Sequence, residues 1–83
     1  MTPTLRLLNA KADALYGRDG RYRLLIIARC KHAGDSLRPG QLRLVEHLRD
    51  AAELVRRKQA RPADQRTAND VEMYQLLRRT PAA

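Results

Sequence analysis

Apolar positions recur at helical spacing in three stretches of the chain and follow a less clear pattern in a fourth. Leu5, Leu8, Ala12 and Leu15 fall three and four apart, which predicts one apolar stripe on a helix over 2–16. Thr2 is suited to cap that helix and Pro3 to open it. Gly17-Arg18-Asp19-Gly20 then interrupts the pattern.

Over 21–33 the pattern admits two periods. Tyr22, Leu24, Ile26, Ala28 and Cys30 alternate with charged neighbours as in a strand, but Leu25 and Ile27 spoil the polar face. Read as a helix, the segment has Asp19 as cap, Arg29, Lys31 and His32 at its C-terminal end and Gly34 as its stop. A lone strand would leave backbone groups unpaired, so the helix is the preferred reading and the strand its alternative. The apolar middle of this segment makes it the expected central, most buried element.

The clearest element spans 41–60. Leu44, Val45, Leu48, Ala51, Ala52 and Val55 form one broad face, with Arg43, Glu46, Arg49, Asp50, Glu53, Arg56 and Arg57 on the rest. Glu53 and Arg57 stand four apart in the favourable order. A loop is expected over 61–67, followed by a short helix that starts at the Asn69–Glu72 capping box and runs to about 79. Residues 80–83 are expected to fray. The prediction is an all-α single domain over 1–83: a bundle of about four helices, the third long and amphipathic.

Composition narrows what such a domain does. There is no Phe or Trp, so the core is aliphatic and thin, and self-association into a dimer is expected to add burial. No apolar run is long enough for a membrane span, and the opening residues lack the pattern of a secretory signal, so a cytoplasmic location is expected. The single cysteine excludes an internal disulfide. Cys30, His32 and His47 do not have zinc-ligand spacing, and no phosphate-cradling glycine loop or catalytic constellation is present. Neither an enzyme nor a cofactor is expected.

Charge then points to a partner. Fourteen Arg and three Lys against nine carboxylates give +8, a surplus that suits phosphate-rich or acidic partners. The cations cluster over 18–43 and 56–66, and Tyr16 and Tyr22 flank the glycine-bearing break. The leading expectation is a small regulator that touches the backbone of DNA or RNA through Arg18, Arg21, Arg23, Arg56, Arg57, Lys58 and Arg61. The alternative is a phage-type inhibitor or adaptor that docks on an acidic protein surface, using spare apolar positions such as Leu7, Leu42, Leu54 and Leu76. A helix-turn-helix is not completed, because the 34–40 connector is long and holds Pro39.

Overall fold

The computed structural model describes residues 3–61 and 63–80, and among them the chain is helical with no strand. Three helices follow in order: α1, Pro3–Ala33; α2, Pro39–Arg56; and α3, Gln65–Arg79. The expected count of four becomes three because the first two segments join into α1. The strand alternative for 21–33 is likewise replaced by helix. Thr2, proposed as a cap, and residues 81–83 of the expected frayed tail lie outside the described residues.

The break foreseen at 17–20 survives as a sharp bend within α1. Gly17 has φ 71° and ψ −171°, a region that residues with a Cβ scarcely enter. The bend turns the second half of α1 back, so that both halves lie against α3. Lys11 of the first half pairs with Glu72 of α3 at 2.9 Å, and the Lys31 ammonium of the second half donates to the Leu77 carbonyl. Burial, reinforced by the nearby Arg78, holds the Lys31 pKa below its ordinary value.

The core draws on every helix. Leu5, Leu8 and Ala12 come from the first half of α1, Leu24, Ile27 and Ala28 from the second, Leu48 from α2, and Met73, Leu76 and Leu77 from α3. The central element is therefore α3, which packs on both α1 and α2, and not the 21–33 segment. Leu76, read as a spare apolar position, belongs to the core, whereas Leu7, Leu42 and Leu54 are exposed.

Local signals explain the helix ends. Pro39 opens α2, and the Gln41 side chain accepts from the Arg38 N–H at 2.8 Å. Asp64 caps α3 by accepting from the N–H groups of Arg66 and Thr67 at 3.0 and 3.2 Å. That cap starts α3 inside the expected 61–67 loop, ahead of the Asn69–Glu72 pair. Thr80 is buried, and its hydroxyl donates to the Leu76 carbonyl at 3.2 Å.

Helix α2 ends at Arg56, short of the expected 60, through a reversal in which Lys58 and Gln59 donate to the Val55 and Leu54 carbonyls. The same pattern closes α1, with Gly34 at φ 77° in the left-handed position. In α2 that position is held by Lys58 at φ 60°, where a Cβ crowds the backbone. Lys58→Gly is accordingly expected to raise stability by about 0.5–1 kcal/mol, read as a higher midpoint in urea unfolding with an unchanged m-value.

Candidate docking groove

Because α3 lies between them, α1 and α2 barely touch each other, and a trough is left uncovered along α2. At one end is a cavity of about 410 Å³ lined by Arg23, Ile27, Arg38, Gly40, Gln41 and Leu44. Arg23 and Leu44 also line the next, of about 300 Å³, with Tyr16, Asp19, Gly20 and Leu24. Tyr16 and Leu44 continue into the largest, about 530 Å³, where Leu15, His47, Gln65, Arg66, Asn69 and Asp70 complete the wall. His47, Arg66 and Asp70 lead on to a cavity of about 240 Å³ that reaches Ala51, Leu54 and Ala60.

Along α2 the trough follows Gly40, Leu44, His47, Ala51 and Leu54, spaced alternately four and three residues apart. That spacing keeps one face of a helix in line. At a rise of 1.5 Å per residue the stretch is roughly 21 Å long, about four turns of a second helix laid alongside. Leu15, Ile27, Leu44 and Leu54 give the trough an apolar floor. Arg23, Arg38 and Arg66, each from a different part of the chain, stand along it exposed and without an ion-pair partner among the described residues.

A buried carboxylate organises the middle of the trough. Asp70 of α3 is 5% exposed. It accepts from the Tyr16 hydroxyl of α1 at 2.6 Å and from His47 Nε2 of α2 at 3.2 Å. The carboxylate oxygens are the acceptors in both contacts. Burial, then the hydrogen bond and charge of Asp70, push the Tyr16 pKa well above its ordinary value, with Arg66 opposing. The hydroxyl therefore stays protonated and continues to donate. All three helices meet on this one side chain.

Three of the seven cations singled out from the sequence are engaged by nearby acids. Arg21 lies 3.6 Å from Asp13, and Arg56 and Arg57 both donate to Glu53 at 3.0 Å. The hydrogen bond from Arg56, with the charge of Arg57 behind it, lowers the Glu53 pKa to about 2. Arg23 lines the trough, Arg18 is exposed on α1, and Lys58 and Arg61 are exposed between α2 and α3. Sequence reasoning missed Arg38, Arg66, His47, Tyr16 and Asp70 as members of a common site. The four-three spacing from Gly40 to Leu54 was the one signal that pointed to it.

Among the described residues no group of His, Cys, Asp and Glu is arranged to hold a metal ion, and no helix is long and apolar enough to cross a membrane. Fold and groove together define a small all-helical domain with an arginine-edged apolar trough. No protein-family model matches the chain, and neither a curated protein nor a solved structure shows significant similarity to it.

Proposed function

We propose that this protein is a small adaptor whose trough takes up an amphipathic helix with acidic flanks from a partner protein. The observation that carries this reading is the combination of an apolar floor with Arg23, Arg38 and Arg66 along one four-turn path. Helix-in-groove recognition needs both: apolar anchors at helical spacing supply affinity, and rim charges supply orientation and on-rate. The charged groups along the trough are not all basic, since Asp19, Asp50 and the buried Asp70 also line it. Asp50 lies 3.3 Å from Arg49, however, and the Arg23–Arg38 end holds no carboxylate. Contact with a duplex backbone, the other reading of the +8 charge, gains nothing from an apolar floor, and three of its seven cations are already paired.

A designed helical peptide of about 16 residues, with Leu or Ile on one face and Glu on its flanks, tests the proposal by isothermal titration. The expected result is saturable one-to-one binding that weakens about tenfold or more when Leu54→Glu or the Arg23→Glu, Arg38→Glu pair is introduced. These three side chains are exposed, so the fold tolerates the changes. A peptide with Lys in place of Glu should bind markedly less. Equal binding of the Glu and Lys peptides overturns the reading. So does equal binding of a Glu-rich peptide without apolar residues, or of duplex DNA.

A further inference from the structure

On the side of α1 turned away from the trough, Arg18, Tyr22, Leu25 and Arg29 follow at intervals of four, three and four, which aligns them on one stripe. Tyr22 is 64% exposed, the most exposed large hydrophobic side chain among the described residues. The other two tyrosines are engaged. Tyr16 donates to Asp70, and Tyr74 lies under the Arg78 guanidinium at 5.9 Å. The side chains of Tyr22, Arg18 and Arg29 make no hydrogen bond or ion pair among the described residues. The stripe carries no acid: Asp13 lies against Arg21, and Asp19 lines the trough.

We propose that this stripe binds single-stranded nucleic acid, with a base stacked on Tyr22 and phosphates on Arg18 and Arg29. An exposed ring between two unpaired guanidinium groups offers a π-face and two cations on a convex helix. Unpaired bases with their flanking phosphates match that chemistry. A duplex does not, because its bases are already stacked on each other. An apolar protein surface is a poorer match too, since Leu25 is half-buried and adds little area beside the ring. The stripe runs over 12 residues, roughly 16 Å at the helical rise, so it engages only a few nucleotides.

Fluorescence anisotropy with a labelled 12-nucleotide oligo(dT) tests the site. Tyr22→Ala is expected to weaken binding about ten- to hundredfold, with Tyr22→Phe close to the parent, because stacking needs the ring and not the hydroxyl. An abasic strand of the same length should bind as weakly as oligo(dT) does to Tyr22→Ala. With two to three phosphates engaged, the logarithmic salt slope should be about −1.5 to −2, and Arg18→Gln with Arg29→Gln should flatten it by about 1.4. The site lies apart from the trough, so saturating acidic helical peptide should leave oligonucleotide affinity unchanged. The proposal fails if Tyr22→Ala or the abasic strand leaves affinity unaltered, or if the peptide displaces the oligonucleotide. Loss of peptide binding alone would sink the docking reading and spare this one.

Discussion

Asp70→Ala is expected to lower the unfolding free energy by about 3 kcal/mol, measured as a drop in the urea midpoint. The carboxylate is buried and accepts from Tyr16 and His47, so removing it strands two donors, one of them in a half-buried site. Leaving a buried group unpaired costs more than the net worth of the hydrogen bond itself. Two partial substitutions separate the contributions. Tyr16→Phe should cost only about 1 kcal/mol, because Asp70 keeps His47. The Tyr16→Phe, Asp70→Ala pair should cost clearly less than the sum of the singles, because the phenol is no longer present to be stranded. Strict additivity would mean that Tyr16 and Asp70 do not act on each other in solution. Asp70 also links all three helices across the trough, so peptide affinity should fall with stability in Asp70→Ala.

Gly20→Ala should destabilise the fold by about 2–3 kcal/mol, even though alanine is the better helix former. A Cβ at position 20 would stand 2.1 Å from the Tyr16 Cβ and 3.2 Å from its Cγ. Neither Cβ can turn away by changing rotamer, since both are fixed by the backbone, so the bend at Gly17 would have to open. Opening it moves Tyr16 away from Asp70 and separates the two halves of α1 from their shared contact with α3. The check is thermal unfolding followed by far-UV circular dichroism, with Gly40→Ala as control because a Cβ there meets nothing within 4 Å. A midpoint for Gly20→Ala equal to or above that of the parent would show that the close approach at Tyr16 does not exist in solution.

Those two residues mark the border of what could be read in advance. The glycine pair at 17 and 20 announced a break, but local pattern does not say whether a break separates two helices or bends one. That depends on what the second half returns to, here α3. The start of α3 was misplaced because Asp64 and Asn69 are both good caps; position 64 won by offering its carboxylate to the open N–H groups of Arg66 and Thr67. Asp70 is polar and sits one residue into the Asn69–Glu72 box, where nothing in the local pattern marks it for burial. Its burial is tolerable only because donors arrive from 54 and 23 residues away, and helical periodicity carries no record of partners at such separations.

The cations show the same division. Glu53 with Arg57 was visible as a four-residue pair because both lie on one helix. The grouping of Arg23, Arg38 and Arg66 along one trough was not, since three separate segments bring them there. By itself the amino-acid order determined the helical class, the stop at Gly34 and the amphipathic face of α2, all set by contacts within a few turns. Tertiary packing alone decided that α3 is central, that α1 folds back on it and that the face of α2 turned toward α1 stays open. The reason is geometric: with α3 wedged between its neighbours, only part of the apolar surface on α2 can be covered by this chain.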